Sequence, residues 1–174
     1  MDIQDFKYHI IPIKDKLYRL AFSLLRNKEE AEDALQDVMA KLWKQRNRLD
    51  GLRNPEAFVM TVTKNMCLDK MKTYGYKNRS DADIQTMSLK SGFPGPAQTT
   101  ELSDSINIMN KAMEQLPEKQ RIVIHLRDVE QYSFEEISEM IGIKKATLRV
   151  ILSRARKNVR EAFIKVQDYE NRKN

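Results

Sequence analysis

Residues 132–165 read YSFEEISEMIGIKKATLRVILSRARKNVREAFIK, and their apolar spacing predicts a short helix, a tight turn and a longer, basic helix. Ser133 stands at the first N-cap position with Glu136 three residues on, the reciprocal pattern of a capping box. Phe134, Ile137, Met140 and Ile141 recur at helical spacing and define one buried face. Gly142 follows where a left-handed residue would end the helix. After Ile143 the period continues through Leu148, Ile151, Leu152, Ala155, Val159 and Ala162, while Lys144, Lys145, Arg149, Arg154, Arg156, Lys157 and Arg160 take the other side. No acidic residue falls between Lys144 and Arg160. A helix–turn–helix with a cationic second helix can lie in the major groove of DNA, which is wide enough to admit it. An amphipathic hairpin of an ordinary all-α protein is the alternative. The acid-free run separates the two, because solvated helices usually mix signs.

The rest of the chain narrows the field. Its 174 residues suffice for one domain or two small ones. Lys and Arg number 31 against 25 Asp and Glu, a net charge of +6 that favours a polyanionic partner more by its placement than by its size. Glycine and proline are scarce, at five each, and no stretch alternates apolar and polar residues, so an all-α fold is expected. The single cysteine, Cys67, excludes an internal disulfide and a cysteine-rich zinc site. His9 and His125 are far apart and accompany no nucleophile, metal-ligand or phosphate-loop motif, so neither an enzyme nor a cofactor is expected. His125 reads as a packing or capping residue and Cys67 as core. Without a secretory or membrane-spanning apolar run, a cytoplasmic protein is expected.

In chain order, the apolar positions from Ile10 to Leu25 form a first helical stripe that Pro12 interrupts near its start. Asn27 is a cap for the next helix, whose stripe is Ala31, Ala34, Leu35, Val38, Met39 and Leu42, with Trp43 at the end. The opposite face runs from acidic (Glu29, Glu30, Glu32, Asp33, Asp37) to basic (Lys41, Lys44, Arg46, Arg48). That order complements the helix dipole and also presents an acidic patch to a protein partner; periodicity does not choose between the two. Asn54-Pro55 opens a third helix with Ala57, Phe58, Val62 and Met66 on its buried side and Lys64, Asn65, Asp69, Lys70 and Lys72 toward its end. Tyr74, Tyr76, Lys77 and Arg79 interleave aromatic and basic groups, which suits single-stranded nucleic acid as well as a packed helix end. The stretch SDADIQTMSLKSGFPGPAQTT (80–100) reads as a flexible linker. Helical spacing resumes after the cap candidates at Ser103–Ser105, Pro117 opens a further helix, and QDYENRKN (167–174) reads as a frayed tail. The expected architecture is two small helical domains, 1–79 and 103–174, joined by a flexible linker over 80–102, the second containing the helix–turn–helix.

Together these segments resemble the bacterial RNA polymerase sigma factors of the small, two-domain extracytoplasmic-function group. The resemblance rests on EEAEDALQDVMAKLWKQRNRL (29–49), RNPEAFVMTVTKNMCLDKMK (53–72), LPEKQRIVIHLRDVEQYSFEEISEMIGI (116–143) and ATLRVILSRARKNVRE (146–161), in that order and around a linker. It implies a promoter-directing subunit of polymerase. Its first domain would dock on the β′ clamp helices through Asp33, Gln36 and Asp37. Its third helix would hold the non-template strand of the minus-ten element, with Lys64, Asn65, Lys70 and Lys72 at matching positions. Its last helix would read the minus-thirty-five element through Lys144, Lys145, Arg149, Arg154 and Arg156, with Thr147 and Ser153 as phosphate contacts. Core polymerase, including the β subunit, promoter DNA and an anti-sigma factor are the implied partners, with no small-molecule substrate.

Three positions depart from that group's usual pattern. Lys144 replaces a Ser-like cap, Val150-Ile151 replaces a Ser-Arg pair so that no basic reader stands at 151, and Phe58 replaces a tryptophan. An ordinary DNA-binding regulator that dimerises through its first domain is the principal alternative, followed by an enzyme and by a helical adaptor. The adaptor leaves the basic last helix unexplained.

Overall fold

The computed structural model describes residues 2–73 and 100–173, and every regular element among them is helical. Tyr74, Tyr76, Lys77, Arg79 and positions 80–99 of the expected linker lie outside the described residues. Helix α1, Ile3–Ile10, starts on a capping box between Asp2 and Asp5. Pro12 sits in a 3-10 turn, Ile11–Ile13, that separates α1 from α2, Lys14–Leu25, as the missing proline N–H requires. Arg26 ends α2 in the left-handed region at φ 56°, and Asn27 caps α3, Lys28–Lys44, by accepting the Glu30 N–H at 2.9 Å. Asn54 Oδ1 accepts the Ala57 N–H at 3.0 Å and opens α4, Pro55–Thr73.

The C-terminal half begins with α5, Thr100–Glu114, which starts before the cap candidates at 103–105 and takes them into the helix. Pro117 then precedes α6, Glu118–Ile124, which runs into a π-helical turn, His125–Val129. Helix α7, Phe134–Ile141, carries the expected capping box, with Ser133 N–H donating to Glu136 Oε2 at 2.8 Å and Glu136 N–H to Ser133 Oγ at 3.2 Å. Gly142 closes it at φ 69°, a conformation that favours glycine. Helix α8, Lys145–Lys173, is 29 residues long. The tail expected to fray is helical through Lys173. It holds no glycine or proline to stop propagation, which costs little once a helix is nucleated. No helix among the described residues is long and apolar enough to cross a membrane.

The two halves share one apolar core. Leu17, Leu20, Leu24 and Leu25 of α2 pack with Ala31, Ala34, Val38 and Leu42 of α3 and with Val59 and Met60 of α4, all essentially solvent-free. Phe6 meets the edge of the Trp43 ring at 5.3 Å between centroids and fastens α1 to α3. In the C-terminal half, Val123, Ile137, Leu148, Leu152 and Ala155 join α6, α7 and α8. Helix α4 was expected to bury one stripe. Of the expected residues Ala57, Val62 and Cys67 are buried and Phe58 and Met66 only half-buried, but Val59, Met60 and Thr63 are buried as well. The reason is that α4 packs against three helices: α2, α3 and, from the other half, α7.

Polar bonds fix the register of the halves. The Arg19 guanidinium on α2 donates from Nε and NH2 to the two carboxylate oxygens of Glu130, both at 2.7 Å, across 111 positions of sequence. The Glu130 side chain is 1% exposed, and His125 Nε2 lies 3.4 Å from its Oε1 without hydrogen-bond alignment. Tyr132 OH donates to Glu56 Oε1 at 2.5 Å, Lys16 donates to the same oxygen at 2.7 Å, and the Lys16 ammonium lies 5.2 Å from the centre of the Tyr132 ring. At the end of α7, the Met140 carbonyl faces Thr61 Oγ1 at 3.2 Å and Lys64 Nζ at 3.4 Å. Thr61 also lies 2.8 Å from the Ala57 carbonyl, and its one proton serves one acceptor at a time.

Burial alone would raise the Glu130 carboxyl. The Arg19 fork and the adjacent His125 more than reverse this and pull it down to about 2. Burial likewise opposes the Glu56 carboxylate, which Lys16 and Tyr132 hold below its ordinary range, while the same burial and the Glu56 bond push the Tyr132 phenol up.

Two outcomes follow for stability. Arg19→Ala leaves a buried carboxylate without its fork and is expected to cost about 3–5 kcal/mol in urea denaturation, whereas Arg19→Leu with Glu130→Leu recovers most of that loss; a loss below about 1 kcal/mol in Arg19→Ala would put the Glu130 charge in water. Because Glu130 is held below its ordinary value of 4.5, its stabilisation is complete above that pH and disappears as the pH falls toward about 2. The stability gap between the native chain and Glu130→Gln, on the order of 3 kcal/mol at neutral pH, should close through that window.

Candidate nucleic-acid and polymerase interfaces

Three charged surfaces carry the residues expected to function. The first is the outer face of α3. Asp33, Gln36 and Asp37 are exposed there and share one face, as i, i+3 and i+4 positions must. Both carboxylates are gripped from α4: Lys70 Nζ lies 2.5 Å from Asp33 Oδ2 and 2.8 Å from Asp37 Oδ2. These bonds hold the Lys70 ammonium well above its ordinary range against a smaller opposing effect of burial. Glu29 and Glu30, with Asp33 and Lys70, line a shallow groove beside the cluster. The structure thus brings together two sets expected to serve different partners, the acidic docking residues and one of the minus-ten lysines.

The second surface is the far half of α4. Asn65, Asp69 and Lys72 are exposed. Lys72 lies two turns beyond Asn65, within about 20° of it around the helix, and Lys70 lies about 140° from Asn65. Lys64 is half-buried beneath the end of α7, with its ammonium toward the Met140 carbonyl. Desolvation there lowers its pKa, with a smaller opposing contribution from Glu118. The Lys64 ammonium is thus turned toward the end of α7, while part of its side chain stays open to solvent. Burial pushes the Cys67 thiol up to about 12, which fits the core position expected for it.

The third surface is the basic face of α8. Lys144, Lys145, Thr147, Arg149, Ser153, Arg154 and Arg156 are all exposed, opposite the buried Leu148, Leu152 and Ala155. Lys144, which replaces the cap, supplies the carbonyl that accepts the Leu148 N–H at 3.0 Å. Several of the cations are anchored within their own half. Lys145 bonds Glu135 at 2.7 Å, Arg149 lies over the Phe134 ring at 5.3 Å, and Arg156 grips Asp128 in two bonds of 2.9 and 2.7 Å. Those contacts pin the start of α8 to α7 and to the π-helical turn. Lys144 and Arg154 form no ion pair among the described residues. The network at Lys16, Arg19, Glu56, Glu130 and Tyr132 was not foreseen, because no local spacing links residues on opposite halves.

Among the described residues, no group of three or more His, Cys, Asp or Glu side chains is placed to hold a metal ion. What the surfaces offer is binding: an acidic patch for a cationic protein face, and cationic surfaces for nucleic acid.

Comparison with known proteins places these surfaces in matched segments. The profile described as Sigma-70 region 2 matches residues 12–75, and that described as Sigma-70, region 4 matches residues 106–159. The chain is 28% identical over 152 residues to the ECF RNA polymerase sigma factor SigE of Mycolicibacterium smegmatis, covering 87% of this chain and 58% of that protein. It is 26% identical over 166 residues to the ECF RNA polymerase sigma factor SigW of Bacillus subtilis, covering 91% of this chain and 89% of that one. Among solved structures, the sigma factor RpoE in complex with the anti-sigma factor NepR from Bartonella quintana matches with a TM-score of 0.74 and 26% identity, over 92% of this chain and 97% of that one. CnrH, in complex with the cytosolic domain of CnrY, shares the fold with a TM-score of 0.62 at 18% identity, over 92% of this chain and 88% of that one.

Proposed function

Because the chain belongs to the sigma-70 family, in its extracytoplasmic-function group, we propose that it binds core RNA polymerase and directs promoter recognition, DNA melting and transcription initiation. Its place of action is then the cytoplasm, beside polymerase and DNA. The observation that carries this reading is the division of charge. The acidic Asp33, Gln36 and Asp37 face lies in the region 2 match, and the basic face from Lys144 to Arg156 lies in the region 4 match.

In this mechanism the α3 face docks on the polymerase β′ clamp helices, and other surfaces meet the β subunit. Helix α8 enters the major groove upstream, where Lys and Arg contacts to phosphate make affinity salt-dependent and contacts to base edges add specificity. Asn65 and Lys72 meet the downstream strand, and holding an extruded base offsets part of the unstacking cost, so melting needs binding and no hydrolysis. In the free chain, α7 covers Lys64 and the fork at Glu130 clasps the halves. A strand that takes the Lys64 ammonium displaces the Met140 carbonyl, which is easier once the halves part, and polymerase would separate them by binding each. An anti-sigma factor that favours the packed form would oppose this; the likeness to RpoE, seen with NepR, extends over both halves.

The test is in vitro transcription from fragmented DNA with core polymerase and the chain, together and separately. New start sites are expected only when both are present. Tight duplex binding by a dimer of the chain alone would point instead to an ordinary regulator. Within the holoenzyme, Arg149→Ala should weaken upstream promoter binding about tenfold or more at near-physiological salt, the order expected for one good base contact. Unchanged affinity would remove Arg149 from the reading face.

A further inference from the structure

We propose that Lys70 is a positioning residue for polymerase docking and not a contact to the minus-ten strand. The proposal rests on the reading of Asp33 and Asp37 as the docking carboxylates. Asp33 and Asp37 stand one helical turn apart on α3, where like charges repel. Both are more than half exposed, at 64% and 52% of their side-chain surface, so by themselves they would sample several rotamers. Lys70 reaches them from α4 with a side chain only 18% exposed. Its ammonium takes Oδ2 of Asp33 and Oδ2 of Asp37. No other bond to either carboxylate is formed among the described residues, so Oδ1 of each remains for a cationic partner.

The same geometry removes Lys70 from the strand surface. Asn65 and Lys72 share one exposed line on α4, and Lys70 faces α3, about 140° around the helix from Asn65. A strand lying along Asn65 and Lys72 reaches Lys70 only if the two ion pairs break. Lys70 instead supplies preorganisation: it cancels the repulsion between the carboxylates and fixes two side chains that a partner would otherwise have to order.

The experiment measures holoenzyme assembly and, separately, capture of a minus-ten single strand by holoenzyme formed at saturating polymerase. Lys70→Ala is expected to weaken assembly about tenfold, the order for two side chains left to be ordered on binding, and to leave strand capture unchanged. Lys70→Arg, which keeps two donors and the charge, is expected to restore most of the assembly. In a background of Asp33→Asn with Asp37→Asn, Lys70→Ala should add nothing, whereas simple loosening of α4 would persist there. Unchanged or tighter assembly in Lys70→Ala overturns the proposal, as does loss of strand capture with assembly intact. If the double Asn variant assembles normally, the docking reading itself fails and takes the proposal with it; if only Lys70→Ala assembles normally, the docking reading stands and the role of Lys70 falls.

Discussion

A buried carboxylate must be paired, and Glu130 finds its pair on the other half of the molecule. The π-helical turn at His125–Val129 is what turns it inward. The Glu130 N–H reaches back to the His125 carbonyl at 3.0 Å, the Tyr132 N–H to that of Leu126 at 3.0 Å, and Gln131 takes φ 62° between them. That short stretch sends Glu130 to Arg19 and Tyr132 to Glu56. The turn closes α6 and sets where Glu130 and Tyr132 stand in the contact between the halves.

The energetics suit a contact that must also open. Breaking one partner of a buried ion pair is costly, because the other charge is left dry. Transferring both into water together costs little, since hydration replaces the bond. The fork therefore dictates how the halves meet without binding them irreversibly. Met140 and Tyr132, both buried, add apolar surface to the contact beside the fork. In the proposed mechanism a large partner such as polymerase, gripping the α3 face and the C-terminal half together, would act against that contact and hydrate both charges as it does so. The same logic would apply to Lys64, where the proposed strand contact exchanges a helix-end carbonyl for phosphate.

Much of this was legible in the sequence because it is local. The capping box at Ser133 and Glu136, the left-handed Gly142, the Asn27 and Asn54 caps and the acid-free face of α8 all depend on residues within a turn or two of one another, and each is present. What periodicity could not supply was the third neighbour. Helix α4 looked one-sided because its contact with α7 comes from the other half, and nothing local singles out Arg19, whose partner lies 111 positions away. Lys70 was grouped with Lys64 and Lys72 as a lysine near a helix end. Sequence gives its place on the helix but not the two carboxylates opposite. The tail at 167–173 lacked a stop signal as well as a packing stripe, and helix propagation decided it.

In the proposed mechanism the free chain holds its halves together through Glu130, and polymerase parts them. Spin labels on cysteines introduced at Arg48 and Arg160, both exposed, would report the separation by double electron–electron resonance, while native Cys67 stays buried and unreactive with its thiol pushed up to about 12. A single narrow distance is expected for the free chain, broadened by Arg19→Ala and replaced by a longer distance when core polymerase is added. A broad distribution in the free chain, indifferent to Arg19→Ala and to polymerase, would contradict the account.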